Sequence, residues 1–114
     1  MFIPLQVAQA QQSSSSKLQI VSTNAFNDNS EFSPTYHIVG EVQNNGTDTA
    51  KFVEVSATLY DSSNQVIGTD FTFTKPSTIE PGMKAPFEIL VSKDKVKGGD
   101  FSIIDHYSTQ VSAS

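Results

Sequence analysis

The chain has no cysteine, and all seven of its basic residues are lysines. Without thiols there can be no disulfide, thiolate zinc site, iron–sulfur cluster or redox pair. Without arginine there is no bidentate clamp for a carboxylate or phosphate. The lysines are scattered. Only Lys93, Lys95 and Lys97 form a group, and Asp94 and Asp100 stand beside them. A chain of net charge −5 with that distribution lacks the concentrated basic surface that nucleic acid requires. Long apolar runs are missing too, and nothing approaches the ~18 residues of a membrane helix. There is no G-x-S-x-G, no histidine in a recognisable relation to a serine, and no glycine loop that would cradle phosphate. The carboxylates are dispersed along the chain. These absences argue against an enzyme and against a bound cofactor.

A length of 114 residues fits one domain, and at this size roughly two thirds of the unfolded surface can be buried without a covalent or metal staple. Composition divides the chain at residue 16. Residues 1–16, MFIPLQVAQAQQSSSS, hold a short apolar run, then Ala8-Gln9-Ala10, then a Gln/Ser tract. Ala-x-Ala before a polar stretch has the shape of a signal-peptidase site, and the Gln/Ser tract has that of a flexible linker. The expectation is a signal-peptide remnant or a Gln/Ser-rich arm, and a secreted or cell-surface location. Ile3, Leu5 and Val7 also alternate with Pro4 and Gln6. If retained, that piece could add as a strand to a sheet edge of a neighbouring copy.

Residues 17–114 read as alternating strands and turns. KLQIVSTNAF places Leu18 and Ile20 on one face. NDNSEFSP is a run of turn formers ending in Pro34. TYHIVGEVQN places Tyr36, Ile38, Gly40 and Val42 together, and a glycine inside a strand marks a bulge or a close backbone approach. Asn45-Gly46 reads as a tight turn, since both residues tolerate positive φ. KFVEVSATLY puts Val53, Val55, Ala57 and Leu59 on one side and Phe52, Glu54, Ser56, Thr58 and Tyr60 on the other. Asp61-Ser62-Ser63-Asn64 turns the chain into QVIGTDFTFT. Pro81-Gly82 fits a type II turn, FEILV follows, SKDKVKGGD is a polar loop, and FSIIDHYSTQV reads as the last strand. No amphipathic helix is apparent in the pattern. Turn signals every 8–12 residues predict an all-β, immunoglobulin-like antiparallel sandwich of about seven strands. Its expected core includes Leu18, Ile20, Ile38, Val42, Val53, Val55, Leu59, Phe87, Ile89 and Ile103.

An ordered series of residues carries a family resemblance. It comprises Gly40-x-Val42-x-Asn44-x-Gly46, Ala50, Leu59-Tyr60-Asp61, Val66-x-Gly68, Pro81-Gly82 and Phe87-x-Ile89. Together these resemble the FxLYD domain, an immunoglobulin-like β-sandwich of secreted and surface proteins of archaea and bacteria. The match spans roughly residues 17–111. At the position two before Leu59, which gives the family its Phe, this chain has Ala57. The resemblance implies a secreted or surface module and transfers no catalytic residue.

Candidate sites are few. Asn27, Asp28, Asn29 and Glu31 offer hard oxygen donors of the kind calcium takes, without the glycine and distant glutamate of an EF-hand loop; the other reading is a plain turn. His37 and His106 could hold zinc only if their strands were neighbours, and alternation points both outward. Asn45-Gly46-Thr47 is an N-glycosylation sequon. Leu59-Tyr60-Asp61 reads as core residue, outer cover and turn cap; the other reading puts Tyr60 and Asp61 in a carbohydrate or peptide contact. Outward Phe52, Tyr60, Phe71 and Phe73 suggest an apolar contact surface. The expected function is a non-enzymatic surface module acting by contact with a protein or glycan partner, without spanning a membrane. The alternative is a filament or adhesin subunit that self-associates through N-terminal strand donation.

Overall fold

The computed structural model describes residues 17–28 and 34–114. Residues 1–16, with the proposed signal or donor segment, and Asn29 and Glu31 of the calcium candidate lie outside them. The described residues hold six strands in two antiparallel three-stranded sheets. β1 (Leu18–Asp28), β2 (Thr35–Asn44) and β5 (Lys84–Ser92) form one sheet in the order β1-β2-β5. β3 (Glu54–Tyr60), β4 (Val66–Phe73) and β6 (His106–Ser112) form the other in the order β4-β3-β6. The all-β expectation holds, with six strands where about seven were expected. No helix of the described residues is long and apolar enough to cross a membrane.

The central strands have the sharpest period-two sequences because both sheets close over them. Ile38 and Val42 of β2 meet Val55, Ala57 and Leu59 of β3 in a dry layer that also holds Phe87, Ile89 and Val91 of β5. The β3–β4 hairpin forms as its sequence requires. Asp61 Oδ1 accepts from the Ser63 and Gln65 amides at 2.9 and 3.0 Å, and Asn64 adopts φ 63°. The Pro81-Gly82 turn also forms, with Gly82 at φ 83° and Met83 N donating to Glu80 O at 3.0 Å. Gly40 marks a close approach. A Cβ there would lie 2.1 Å from the Ser22 carbonyl oxygen and 2.8 Å from the Phe87 ring.

Four expectations are corrected. Asn45-Gly46 does not turn a hairpin, because β2 and β3 belong to different sheets and neither residue has positive φ. The buried Asn44 amide shapes that crossing instead. Its Nδ2 donates to Asp48 O (2.8 Å) and Ile79 O (2.9 Å), and its Oδ1 accepts from Gly46 N (2.9 Å). The strand expected from Lys51 begins at Glu54, because Phe52 takes φ 51° and breaks the extended run. The last strand begins at His106 rather than Phe101. Phe101–Ile103 is a 3-10 turn capped by Asp100, whose Oδ1 accepts from Ser102 N (2.9 Å) and Oγ (2.6 Å). Those two bonds hold the Asp100 carboxyl below its ordinary pKa. The turn puts Phe101 in the core and leaves Ile103, expected inside, 37% exposed. Finally, β1 extends through Asp28, where a turn was expected.

The two flanks of the sandwich differ. On the side where β4 approaches β5, the inward side chains Ile67, Ala85, Phe87, Ile89 and Val91 are all buried. The segment after β5 seals it through a Gly68–Val96 bridge, and Lys75 N donates to Pro86 O at 3.0 Å. On the side where β1 approaches β6, Leu18, Ile20 and Ala25 face Tyr107 and Val111, and all five are only partly buried. Tyr107 Oη donates to Thr23 Oγ1 across this flank at 3.1 Å.

Candidate functional site

Alternation along β4 puts Phe71 and Phe73 on the outer face of the β4-β3-β6 sheet, opposite Ser56 and Glu54 of β3. Their rings meet edge to face, with centroids 6.3 Å apart and planes at 86°. They stay 55% and 43% exposed. A neighbouring pair at i and i+2 on a strand shares one face by geometry, so this part of the contact surface follows from the backbone period alone.

The other two members of the expected surface lie elsewhere. Tyr60 is at the far end of β3, opposite His106, and stacks on that ring with centroids 4.9 Å apart and planes 11° from parallel. Asp105 Oδ2 lies 2.7 Å from His106 Nδ1 and orients it. Phe52 is exposed just before β3, and its left-handed backbone removes it from the strand's alternation. The two histidines are not brought together, because β2 and β6 lie in different sheets.

His37 is outward, as alternation requires, yet it is sheltered. Phe26 of β1 is its direct cross-strand partner and stacks on it with centroids 4.7 Å apart and planes 7° from parallel. Glu88 Oε2 lies 2.8 Å from Nδ1 and Asp28 Oδ2 lies 3.6 Å from Nε2. The side chain is only 16% exposed. Leu90 of β5 stands on its other side. Phe26 and Leu90 remain about half exposed, so this sheet carries a second apolar patch on its outer face. Sequence reading missed it because Phe26, His37 and Leu90 become neighbours only through strand register. A known pairing of the three strands would have revealed it.

The calcium candidate is not assembled among the described residues. Asn27 pairs with inward Tyr36, whereas Asp28 pairs with Thr35 on the outer side beside His37. Adjacent residues on a strand point to opposite faces, so the Asn27 and Asp28 side chains leave β1 on opposite sides. No group of three or more His, Asp or Glu among the described residues could hold a metal. We expect the melting midpoint to stay within 1 °C, about the precision of a melting scan, between chelator and millimolar calcium. Binding at 100 times Kd would add about 2.7 kcal/mol, several degrees for a domain of this size, so a rise of that order would refute this.

Asn45 is exposed just beyond β2, with Nδ2 donating to Gln19 Oε1 at 2.9 Å. A shallow depression of about 460 Å3 lies at one end of the sandwich, lined in part by Asp61, Lys97, Ser102 and Asp105. Asp61 is committed to its turn and Asp105 to His106, so these carboxylates serve local structure. Inside the opposite wall, burial and then the neighbouring Tyr107 push the Tyr36 hydroxyl above its ordinary pKa.

No family model, curated protein or solved structure matches this chain. The outer-face Phe71–Phe73 pair is therefore weighed on its geometry alone. It is a fixed apolar step on a strand whose inner partner, β3, is anchored by three fully buried residues, Val55, Ala57 and Leu59.

Proposed function

We propose that this chain is a non-enzymatic, immunoglobulin-like module of the FxLYD type that acts outside the cytoplasm by contact with a protein partner. The exposed Phe71–Phe73 pair carries this reading. Two phenyl rings held in water on a rigid strand contribute little to the fold, and their apolar surface is recovered only by contact with something else. The edge-to-face packing presents a stepped surface, which suits protein side chains better than the flat stacking platform a sugar ring needs. Glu54 and Ser56 beside the rings supply a polar rim. The antiparallel pairs β1–β2 and β3–β4, with consecutive strands that switch sheets between β2 and β3, support the immunoglobulin-like reading. Export is supported by Ala8-Gln9-Ala10 and by the family resemblance, and the exposure of Asn45 is what glycosylation at its sequon needs. The strand-donation alternative depends on residues 3–7, which lie outside the described residues.

The test compares the full chain with the Phe71→Ser/Phe73→Ser double variant as baits for surface proteins of the producing cell. Both rings are outward and about half exposed, so each substitution should cost about 1 kcal/mol in ring packing and strand propensity and leave the domain folded. Retention of the partner should fall at least tenfold, about 1.4 kcal/mol. Equal recovery by both baits refutes the site. Retention of a cell-surface polysaccharide instead of a protein replaces the partner class.

A further inference from the structure

Four strand edges bound the two sheets, and their protection differs. β5 carries Lys84, Pro86 and Glu88, and Lys75 N already donates to Pro86 O. β4 is bridged to the segment after β5 at Gly68–Val96. Charges, proline and covering segments are the usual means of blunting an edge. β6 has none of these apart from His106, but its outward residues are otherwise Ser108, Gln110 and Ser112, which offer a neighbour no apolar contact. β1 is the longest strand, with 11 residues, contains no proline, and is uncharged from Leu18 through Asn27. It is terminal in its sheet, and no strand of the described residues flanks its outer edge. Its outward Phe26 is 46% exposed, and its inward Leu18, Ile20 and Ala25 are only partly covered.

We propose that the β1 edge is a self-association site, in which residues 22–28 pair antiparallel with the same residues of a second copy about a two-fold axis at Ala25. The β-bulge between Ile20 and Ser22 ends the straight part of the edge on one side, and the end of β1 at Asp28 limits it on the other. Ala25 is the midpoint of that stretch. Centring there places Phe26 opposite Asn24 of the second copy and diagonal to its Phe26, within reach of an aromatic ring. The joined sheet would run β5-β2-β1-β1-β2-β5, with one apolar strip across the junction. The new strand would also shelter Ala25 on the incompletely covered flank.

A second copy fits this edge because the proposed register sets no like charges opposite one another: Asp28, the one charged residue of β1, faces Ser22 of the second copy. Two molecules of net charge −5 repel one another over most of their surfaces. The uncharged β1 edge is where they can approach closely. A strongly basic partner would find no acidic row along β1 to pair with, because Asp28 alone carries charge there. The contact is isologous, so it closes as a dimer and does not propagate into fibres. It is separate from the Phe71–Phe73 face, which lies on the other sheet.

The test is sedimentation equilibrium of the full chain at concentrations up to about 1 mM, the range suited to an interface below ~1,200 Å2. A concentration-dependent dimer is expected. Asn24→Glu sets a carboxylate diagonal to Asp28 and to its own twin in the second copy, and should raise the dissociation constant at least tenfold. Asn24 is exposed, so the melting midpoint of the dilute monomer should be unchanged; Asn24→Gln should dimerise like the parent. Ser108→Glu on the β6 edge should leave dimerisation intact. A monomer at every concentration overturns the proposal, and so does a dimer indifferent to Asn24→Glu or one broken by Ser108→Glu. A chain beginning at Lys17 should still dimerise. If it does not, the contact belongs to residues 1–16 and the β1 pairing is wrong.

Discussion

Gly40→Val should leave the chain without its β1-β2-β5 sheet. Gly40 sits in the middle of β2, between Thr23 of β1 and Phe87 of β5. Any Cβ meets the Ser22 carbonyl oxygen at 2.1 Å and two atoms of the Phe87 ring at 2.8 and 2.9 Å. The ring could swing only into a filled core, and the oxygen is main chain. Relief therefore requires β1 to move off β2. Overpacking usually costs about 1–3 kcal/mol and occasionally more, and here backbone as well as side chain must yield. We expect Gly40→Ala to cost at least about 3 kcal/mol and lower the melting midpoint by roughly 12–24 °C. Gly40→Val should exceed about 5 kcal/mol, the lower end of the stability of an ordinary domain, and yield no cooperative unfolding transition. Thermal melts followed by circular dichroism decide it. A valine variant that melts within a few degrees of the parent would mean that β1 does not pack as described.

Asn44 should show the second largest effect, for an electrostatic reason. Its side chain is fully buried and satisfies three backbone groups of two different connections, at Gly46, Asp48 and Ile79. Its own backbone ties down the same region, with N donating to Met83 O at 3.0 Å and O accepting from Gly82 N at 2.7 Å. Asn44→Ala leaves the Ile79 carbonyl buried without a partner and orphans the part-buried Asp48 carbonyl and Gly46 amide; a buried group left so costs about 1–3 kcal/mol and packing is lost besides, so a loss of about 3–5 kcal/mol is expected. Asn44→Asp is the sharper test. Its carboxylate would face two carbonyl oxygens in a dry site, which raises the folded-state pKa above the unfolded value. The protonated acid retains a donor and binds best, so the native state holds its proton more tightly than the unfolded chain does. The variant is then most stable below the unfolded pKa of about 4 and loses stability as pH rises through the folded pKa. Urea melts at pH 4 and pH 7 should show a higher midpoint at pH 4 relative to the parent at each pH. The opposite order would show that the amide is not enclosed by carbonyls.

Both residues were visible in the sequence, with unequal meaning. Gly40 stood out as a glycine inside a strand pattern, and close approach was one of its two expected roles. The bulge proved to be in the facing strand, between Ile20 and Ser22. Asn44 is one of the marks of the family resemblance, but the local pattern gives it no role beyond that of a polar strand end. Its importance depends on Ile79, which lies 35 residues away and is brought near only when the sheets stack. The same distinction separates Phe71–Phe73 from Phe26–His37–Leu90. The first pair is local to one strand, and a period of two is enough to find it. The second group draws one residue from each of three strands and exists only once register is set.

By itself the sequence determined that the chain is all-β, where most strands lie, which faces of β2, β3 and β5 point inward, and how the chain turns at 61–65 and at Pro81-Gly82. Each of these follows from sterics and side-chain chemistry within a few residues. Only the tertiary structure decided that Asn45-Gly46 crosses between sheets, that Phe101 rather than Ile103 enters the core, that His37 is roofed by Phe26, and that one flank is sealed while the β1 side stays partly open. These depend on which distant segments meet, and the free energy of such meetings depends on partners that no local pattern names.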